Sequence, residues 1–517
     1  MAYGWEAKLS ADGRNRVVWV GRQIPDELQT VVQVLGLNVT EVRDAKRIDA
    51  KAADLFAVFV SAVGADAAKA ESRLLRLSTM HIPDYGVLLG VASIDPGEAF
   101  KLQNTLLHKA KAHIAALGLT SKDFAQVLRS HQPGPPASTT LTQPLAGHVQ
   151  SDYGDQHRDD YDSDVILLQR AFNGFKNVTL TPQKGGRSKD CKVWKIEATR
   201  ETDACEPFVA KAARREDLQS ELETYRAFVR DSVPFPFRAP ILEGRFVKGS
   251  TRAVLISAFV GRSQRLDEYL STASNPELVM VSLFEGALGK WRRGAISNHG
   301  SLGRFYVEQQ KVAKECGASD AMAKSLLPDP EGLAPTFEIA RKADASVIEP
   351  STIWSILAKL PEMDYFVCRA HGDLNVRNVF VRWNSIDTIL IDFSHSGIKE
   401  SVARDPAKLE TSISLNVCNN DDEHIPEDIL RKLYRCPLLP PRDFLTLDGR
   451  TDAIYQIRRH AGGEGITSYE YEILVLCHLL RFACEPIDKS NDNAESQNRR
   501  SISYTLACNL LANLAQA

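Results

Sequence analysis

A short polar segment in the last third of the chain constrains this sequence more than any other feature. It reads HGDLNVRN from His371 to Asn378, and the triplet IDF follows it, with Asp392 at its centre. Between them lie two apolar segments, residues 379–381 and 388–391, separated by a short turn. Apolar segments on either side of such a turn predict a β-hairpin. This hairpin would return Asp392 to the neighbourhood of Asn378.

The polar positions in this segment have the chemistry that phosphoryl transfer requires. Such a transfer needs positioned charge more than covalent work: a carboxylate facing the acceptor hydroxyl, and ligands that hold Mg²⁺ against the ATP phosphates. Asp373 is the predicted base, and Asn378 and Asp392 are hard oxygen donors suited to Mg²⁺. His371 and Gly372 are expected to fix the loop backbone beneath them. Together with the hairpin, the segment resembles the catalytic loop and metal-binding strand end of kinase-like phosphotransferases.

The chain before this segment holds the expected parts of an ATP-covering lobe. The residues FVAK, which end at Lys211, resemble the strand whose lysine binds the α- and β-phosphates. A helix is predicted over 216–229, because apolar residues recur there at helical spacing. Glu221 on this helix is the predicted partner of Lys211, and Glu223 is the alternative.

Two further segments of this lobe are predicted to contact the nucleotide. Gly185 and Gly186 lie in a polar turn between two strands, where backbone N–H groups can approach phosphate oxygens without a Cβ in the way. The turn lacks the full G-x-G-x-x-G pattern. An apolar strand over 252–261 runs into a hinge, and the main chain of residues 257–260, including Phe259, is expected to meet the adenine edge.

The sequence after Asp392 departs from protein kinases and resembles another branch of their superfamily. Phe393 is followed by Ser394 in place of glycine, and no A-P-E motif comes later. The H-G-D form and the D-x-A-x-x-E pattern at 405–410 resemble the aminoglycoside and choline phosphotransferases. HGDLNVRNVFV, IDFSHSG and DPAKLE together are more similar to the phosphotransferase-like ternary-complex-associated domains of bacterial conflict and signalling systems. The resemblance runs from residue 165 to the C-terminus.

This resemblance implies an α+β bilobal protein-kinase-like fold, with a small lobe over 165–262 and a helical large lobe over 263–517. It also implies the use of ATP and Mg²⁺, in a bacterial signalling or defence system. The acceptor would be a hydroxyl group of a small molecule or of a partner protein, and the sequence leaves both open. A helical insertion over 298–346 is a candidate for part of the acceptor site.

Four other polar residues near the motif are candidates for supporting roles. His395 is placed either to contact phosphate or acceptor, or to act as a structural histidine bonded to backbone. Arg377 is placed to face the γ-phosphate, and the alternative is that it is an ordinary surface residue. Asp405 and Glu410 are expected to brace the catalytic loop and not to perform chemistry.

The first 130 residues alternate short apolar strands with helices, which predicts a parallel sheet covered on both faces. This α/β pattern resembles a flavodoxin-like or receiver-like domain. A working receiver has acidic residues after its first strand and at the end of its third, where this chain has Gly21-Arg22 and Ser61. No phosphoacceptor is therefore expected. A docking or sensor module is favoured over an enzymatic one; the sequence does not name its ligand, and a protein partner is one candidate. The predicted strands are 17–20, 38–42, 54–60 and 85–92, and the predicted helices are 25–35 and 93–117.

Composition limits the remaining possibilities. Residues 131–164 contain four prolines and an acidic tract, which predicts a linker. A net charge of −3 gives no electrostatic case for binding nucleic acid, and no apolar run is long enough to cross a membrane. The nine cysteines never form C-x-x-C, and the first residues lack the apolar core of a signal peptide. We therefore expect a cytoplasmic protein without a zinc site or disulfides.

These inferences combine into a two-module protein whose kinase-like part transfers the γ-phosphate of ATP to a hydroxyl group. The alternative is a pseudokinase scaffold, which would bind nucleotide or nothing and would signal through the N-terminal domain. Nucleotidyl transfer on the same fold is a third possibility, which the mass of the product would distinguish.

Overall fold

In a computed structural model, the chain divides into two compact units. The first comprises Met1–Leu222 and Pro240–Phe259, and the second comprises Glu223–Ala239 and Val260–Ala517. The structure describes residues 16–35, 37–48, 55–79, 88–93, 95, 102, 114–118, 124, 127–128, 140–142, 158–172, 175–183, 191–200, 202–249, 251–272, 275–316, 325–415, 425–435, 438, 448–463, 465–484 and 494–516.

The N-terminal part of the first unit has a parallel sheet. Its described strands are β1 (Arg16–Val20), β2 (Asn38–Val42), β3 (Leu55–Ser61), β4 (Leu88–Ser93) and β5 (Ile114–Gly118), and helices α1 (Asp26–Val34) and α2 (Ala67–Thr79) follow β1 and β3. The strand order is β2-β1-β3-β4-β5, with every neighbouring pair parallel. This is the strand order of flavodoxin-like sheets. The prediction of a parallel sheet is therefore confirmed, and a receiver-like domain stays a prediction.

Alternate residues of β1 pack on opposite faces of this sheet. Val17 and Trp19 belong to a buried cluster that includes Leu28 of α1. Val18 belongs to a separate buried cluster that includes Leu74 of α2. Because successive side chains of a strand point to opposite faces, these two clusters are the two cores of a sheet that is covered on both sides.

One secondary-structure prediction for this region is wrong at its two ends. The alanine-rich segment 93–117 is predicted to be helical, but Ser93 ends β4, and Ile114–Gly118 forms β5 and pairs with β4. Leu102 is helical, and residues 94, 96–101 and 103–113 lie outside the described residues. Helix propensity is a weak preference that tertiary context overrides. Here the backbone hydrogen bonds to β4 outweigh it.

The described residues of the first unit also form a mostly antiparallel sheet. Its order is β10-β11-β9-β8-β7-β6, and only the β6–β7 pair is parallel. The strands predicted around 175–180, 193–198, Lys211 and 252–261 are confirmed in it. Its elements are β6 (Thr140–Thr142), helix α3 (Arg158–Ala171), β7 (Asn177–Pro182), β8 (Lys192–Thr199), β9 (Cys205–Arg214), helix α4 (Arg215–Thr224), β10 (Val247–Lys248) and β11 (Arg252–Ala258).

Helix α3 packs on this sheet and is also tied to it by an ion pair. Leu168 shares a buried cluster with Trp194 of β8. Asp164 accepts two hydrogen bonds from the guanidinium of Arg252 on β11, at 2.6 and 2.7 Å, and both side chains are buried. The predicted linker 131–164 is described only in part, and β6 and the start of α3 lie within it. The domain boundaries stay predictions.

The second unit is mainly helical, and its described part contains two small antiparallel sheets. One has the order β12-β15-β16 and the other the order β13-β14-β17. The strands are β12 (Ser263–Arg265), β13 (Ile296–Gly300), β14 (Met363–Ala370), β15 (Val379–Arg382), β16 (Thr388–Leu390) and β17 (Gly397–Ser401). The helices are α5 (Leu266–Thr272), α6 (Pro276–Val281), α7 (Gly289–Arg293), α8 (Leu302–Cys316), α9 (Pro330–Ala343), α10 (Pro350–Leu357), α11 (Arg404–Leu415), α12 (Glu427–Leu433), α13 (Gly449–Gly463), α14 (Ser468–Ala483) and α15 (Ala494–Leu514).

Helix α11 lies deep in this unit and positions the functional residues. All of its residues are buried except Lys408, which keeps part of its side chain accessible. Helices α13 and α14 pack against it. None of the helices that the structure describes is both long and apolar enough to cross a membrane.

Candidate active site

The segment from His371 to Asn378 lies between β14 and β15, and one carboxylate holds its first turn. Asp405 of α11 accepts hydrogen bonds from the backbone N–H groups of His371 and Gly372, at 2.7 and 3.0 Å. Gly372 has a φ of +81°, and a Cβ at this position would lie 2.1 Å from the carbonyl oxygen of His395. Only glycine fits such a position. The bracing expected of Asp405 is therefore present in the structure.

His371 joins this turn to the strand that carries Asp392. The ring is fully buried, and its Nε2 lies 3.0 Å from the carbonyl oxygen of Ile391. A carbonyl oxygen only accepts hydrogen bonds, so Nε2 carries the ring proton. The ring also packs against Phe393, with 5.0 Å between ring centroids. These contacts fix the loop backbone, as the sequence analysis expects.

Asp373 is held by three side chains. Its Oδ2 accepts a hydrogen bond from Asn375 Nδ2 at 3.0 Å and a longer one from Asn378 Nδ2 at 3.3 Å. Asn378 Nδ2 also donates to the backbone carbonyl of Asp373 at 2.9 Å. On the other side of the carboxylate, the ammonium of Lys408 lies 3.5 Å from Oδ1. The predicted base thus has a fixed orientation, while 32% of its side chain remains exposed.

The electrostatic surroundings keep Asp373 ionised. Burial alone would raise the pKa of this carboxyl, but the positive charge of the Lys408 ammonium favours the ionised form, with a smaller contribution from His395 when its ring is protonated. The net effect is a pKa below the ordinary value for aspartate. At neutral pH, Asp373 is therefore a carboxylate that can accept a proton.

The predicted hairpin is confirmed, and it brings Asp392 to Asn378. Strands β15 and β16 pair antiparallel, with Val379 opposite Leu390. The next residue, Ile391, donates its N–H to the carbonyl of Asn378 at 3.1 Å. Asp392 has a φ of +57°, a left-handed conformation that aspartate adopts more readily than most residues. The two predicted metal ligands therefore lie beside one another.

Ser394 and His395 complete this end of the hairpin. Ser394 Oγ donates to Asp392 Oδ1 at 2.9 Å and lies 3.1 Å from His395 Nδ1. Burial lowers the pKa of His395, although Asp373 and Asp392 both favour its protonation. His395 is thus close to both carboxylates. Its ring contact is to a side chain, so the described contacts do not support a histidine bonded to backbone.

The first unit contains the predicted lysine–glutamate pair. Lys211 on β9 donates from Nζ to Glu221 Oε2 on α4 at 2.7 Å. Glu221 is buried, and Lys211 keeps 24% of its side chain exposed. Glu221 is therefore the partner, in preference to Glu223. Nucleotide binding by this pair stays a prediction.

The other predicted nucleotide-binding residues are less defined. Gly185 and Gly186 lie outside the described residues. Phe259 follows β11 and is half-buried, and the ammonium of Lys195 lies 5.1 Å from the centroid of its ring. Arg377 is exposed at the end of the loop, where its N–H donates to Asn375 Oδ1 at 2.9 Å. Their contacts with nucleotide stay predictions.

Glu410 has a different role from the one expected. It is fully buried, and its carboxylate accepts hydrogen bonds from Arg458 at 2.7 and 2.9 Å and from Tyr471 at 2.7 Å. These partners lie on α13 and α14. Glu410 therefore anchors α11 to its neighbouring helices, and it supports the catalytic loop only through that helix.

Sequence reasoning missed Lys408 and Asn375, both of which contact Asp373. A signal for Lys408 was available: it lies three residues after Asp405, and residues at this spacing share a face of a helix. With Asp405 assigned to brace the loop, the same face of α11 had to approach Asp373. For Asn375, the sequence offered only its position inside the motif.

No protein-family model matches the chain, and no curated protein matches its sequence. Among solved structures, the chain is similar to an ethanolamine kinase of Plasmodium vivax, with a TM-score of 0.33 and 11% identity over 70% of this chain and 92% of that one. It is also similar to an aminoglycoside phosphotransferase from Alicyclobacillus acidocaldarius, with a TM-score of 0.30 and 12% identity over 65% of this chain and 92% of that one. A macrolide 2′-phosphotransferase from Brachybacterium faecium gives a TM-score of 0.31 and 13% identity, over 66% of this chain and 97% of that one. These neighbours are all phosphotransferases by name. Their TM-scores lie below 0.5, so the chemistry assigned to this chain rests on its side-chain geometry.

Proposed function

We propose that the chain is an ATP- and Mg²⁺-dependent phosphotransferase that moves the γ-phosphate of ATP to a hydroxyl group of a small molecule or a partner protein. The hydrogen bond at the open end of the β15–β16 hairpin is the observation that supports this proposal. The hydrogen bond from Ile391 to Asn378 sets Asp392 beside Asn378, and the Asn378 amide contacts Asp373. The side chains that we propose as the base and the two metal ligands are therefore neighbours, and phosphoryl transfer requires such an arrangement.

The donor atoms of this site fit Mg²⁺. The nitrogen of the Asn378 amide donates to Asp373, which leaves the amide oxygen as the atom for a metal, and Asp392 supplies a carboxylate. Within the described residues, no group of three or more His, Cys, Asp or Glu side chains is arranged to hold a metal. Mg²⁺ bound together with substrate phosphates needs only one or two protein carboxylates. The bound ion would neutralise charge on the β- and γ-phosphates.

The residues of the chain have distinct parts in the transfer. The acceptor oxygen forms a bond to the γ-phosphorus, the bond between that phosphorus and the bridging oxygen breaks, and ADP leaves with the electron pair. The hydroxyl proton passes to the carboxylate of Asp373. Lys211 would bind the α- and β-phosphates, and Glu221 would hold the Lys211 ammonium in position.

The N-terminal sheet is assigned a docking or sensing role in the same proposal. At the carboxyl ends of β1 and β3, Asp66 accepts hydrogen bonds from the Arg22 N–H and from the Arg73 guanidinium, both at 2.9 Å. A Cβ at Gly21 would lie 2.6 Å from Ser61. An ion pair and close packing thus occupy the edge where flavodoxin-like folds bind ligands. This favours a docking or sensor role over an enzymatic one, and we propose that the receiver-like module binds a protein partner. The proposal of a cytoplasmic signalling or defence system rests on the sequence alone.

Calorimetry of ATP binding, with and without Mg²⁺, tests the proposed function. The wild type and three variants are compared: Asp392→Asn, Asp373→Ala, and the control Asp387→Asn on the turn of the same hairpin. Binding should require Mg²⁺ and should weaken about tenfold or more in Asp392→Asn, because the metal loses a charged ligand. Asp387→Asn should bind as the wild type does.

Phosphoryl transfer from labelled ATP to a panel of small alcohols and to co-purified protein completes the test. Transfer that is lost in Asp373→Ala, with ATP binding retained, supports the enzyme. Mg²⁺-dependent binding without transfer to any acceptor or to water favours the scaffold alternative. A well-folded wild type that binds no ATP contradicts the enzyme and leaves a scaffold that does not bind nucleotide.

A further inference from the structure

Lys408 occupies an unusual place for a lysine. It lies in α11, a helix whose other residues are all buried, and 17% of its own side chain remains accessible. Three residues earlier in the same helix, Asp405 is bonded to the backbone of His371 and Gly372. The helix that fixes the catalytic loop therefore also delivers an ammonium group to it.

The ammonium of Lys408 is directed at Asp373, but Asp373 does not use all of its hydrogen-bond donors. Its Nζ lies 3.5 Å from Asp373 Oδ1, which is longer than the 2.7–2.9 Å of a tight charge-assisted hydrogen bond. Among the described residues, this carboxylate is the one ion-pair partner of Lys408. An ammonium has three N–H donors. Donors thus remain for an anion that approaches Asp373 from the accessible side.

The chain contains a lysine that shows the contrast. Lys432 on α12 lies 3.8 Å from Asp428, and 69% of its side chain is exposed. It belongs to an exposed ion pair outside every segment to which we assign a function. Lys408 also has one carboxylate partner among the described residues, but it is largely buried, and that partner is the proposed base.

We propose that Lys408 is a catalytic residue that binds the phosphoryl group during its transfer. This rests on the proposed function. At the start, Lys408 faces the carboxylate of Asp373. As the acceptor oxygen bonds to the γ-phosphorus and ADP departs, the hydroxyl proton neutralises Asp373. The ammonium then loses its carboxylate partner, and the negative charge nearest to it is that of the transferred phosphoryl group.

Because the Lys408 ammonium changes partner from Asp373 to the phosphoryl group, its contact with that group strengthens during the reaction. A contact that strengthens only as the reaction proceeds lowers the barrier without tightening the binding of the substrate. A preorganised donor of this kind typically contributes about 10²–10³ in kcat. Lys408 should therefore affect kcat far more than the affinity for ATP.

The test compares Lys408→Met, Lys408→Arg and the control Lys432→Met. Hydrolysis of Mg²⁺–ATP, with water as acceptor, gives kcat and KM between about pH 6 and pH 9. Calorimetry gives the affinity for Mg²⁺–ATP and for Mg²⁺–ADP with fluoroaluminate, which imitates the phosphoryl group in transfer. The second measurement needs no turnover.

We expect Lys408→Met to lower kcat about 100-fold at every pH and to leave ATP affinity within about threefold of the wild type. Fluoroaluminate should tighten ADP binding in the wild type and in Lys432→Met, but not in Lys408→Met. Lys408→Arg, which keeps the positive charge, should recover at least about tenfold of the lost rate.

Two results would overturn the assignment of Lys408 and leave the proposed function standing. The first is activity in Lys408→Met that recovers fully at alkaline pH, since Lys408 would then act only on the protonation of Asp373. The second is an undiminished response to fluoroaluminate. If the wild type neither binds nor hydrolyses ATP, the proposed function fails, and the assignment of Lys408 fails with it.

Discussion

The catalytic loop and the Lys211–Glu221 pair are positioned in contrasting ways. The loop is fixed by buried groups: the carboxylate of Asp405 holds its backbone, and the ring of His371 is bonded to the strand that carries Asp392. Lys211 belongs to a sheet strand, stays partly exposed, and meets Glu221 across the gap between that strand and a helix. The contrast indicates that the loop keeps its shape without substrate, whereas the position of Lys211 depends on the placement of α4.

The largest effect should come from Asp405→Ala. This change leaves two backbone N–H groups buried without a partner, and each such group costs about 1–3 kcal/mol. The unfolding free energy in denaturant should fall by about 3–5 kcal/mol, and phosphoryl transfer should be lost. The control is Asp344→Ala, because Asp344 also accepts two hydrogen bonds, from Ser346, but on the exposed surface. Equal losses in the two variants would show that the loop is not specially braced.

Gly372→Ala should have the next largest effect. The added Cβ would meet the carbonyl oxygen of His395 at 2.1 Å, and the φ of +81° is unfavourable for alanine. Such strain costs about 1–3 kcal/mol, and relief requires the turn before Asp373 to move. Thermal unfolding and transfer rate should both fall. Gly397→Ala is the control, since its Cβ would contact only the Glu400 side chain at 3.6 Å. A fully active Gly372→Ala enzyme would contradict the rigid turn.

Glu470 lies in α14, behind the loop, and gives this region a pH dependence. Its side chain is buried, it accepts a hydrogen bond from Ser401 at 2.7 Å, and burial raises its pKa to about 7. Because the folded-state pKa lies above the unfolded value, Glu470 costs no stability below about pH 4.5, and stability falls as the pH rises towards 7. Glu470→Gln removes this cost.

Unfolding free energies of Glu470→Gln and wild type, measured at about pH 4.5 and pH 8, check this point. The difference between them should move in favour of the variant by about 3 kcal/mol over that interval. A difference that does not change with pH would mean that Glu470 is ionised in the folded protein throughout.

The smallest change in stability should follow Glu221→Gln in the first unit. The Lys211 pair is partly exposed, and pairs of this kind contribute about 1 kcal/mol or less. Unfolding should therefore change little, while the affinity for Mg²⁺–ATP should drop about tenfold, because the lysine loses its charged partner. Glu223→Gln should leave both quantities unchanged. If Glu223→Gln instead weakens ATP binding, the pairing seen in the structure is not the one that binds nucleotide.

The sequence predicted the parts of this site that depend on local pattern. The spacing from Asn378 to Asp392, with apolar strands between them, was enough to predict the hairpin. The helical periodicity after Lys211 placed Glu221 correctly. The alternation of strands and helices before residue 130 predicted a parallel sheet, although not its fifth strand, where pairing with β4 decides the conformation of an alanine-rich segment.

Other features depend on neighbours distant in the chain. Lys408 reaches Asp373 from a separate helix. Its contact with Asp373 could be predicted only after Asp405, on the same face of that helix, had been assigned to bind the loop. The placement of Glu410 depends on Arg458, forty-eight residues away. No local pattern indicates which buried groups will meet. The sequence therefore predicted the proposed reacting side chains more completely than the residues that hold them in place.

The ion pair between Asp164 and Arg252 has a practical consequence for anyone who wishes to shorten the protein. A chain cut to begin just after Asp164 would follow the most obvious boundary in the sequence. Such a cut would also remove the Asp164 carboxylate that pairs with the buried guanidinium of Arg252 on β11. Removing one member of a buried ion pair costs about 3–5 kcal/mol of stability. A fragment that retains all of α3 from Arg158 avoids this loss, and one that begins before Thr140 also keeps the edge strand β6.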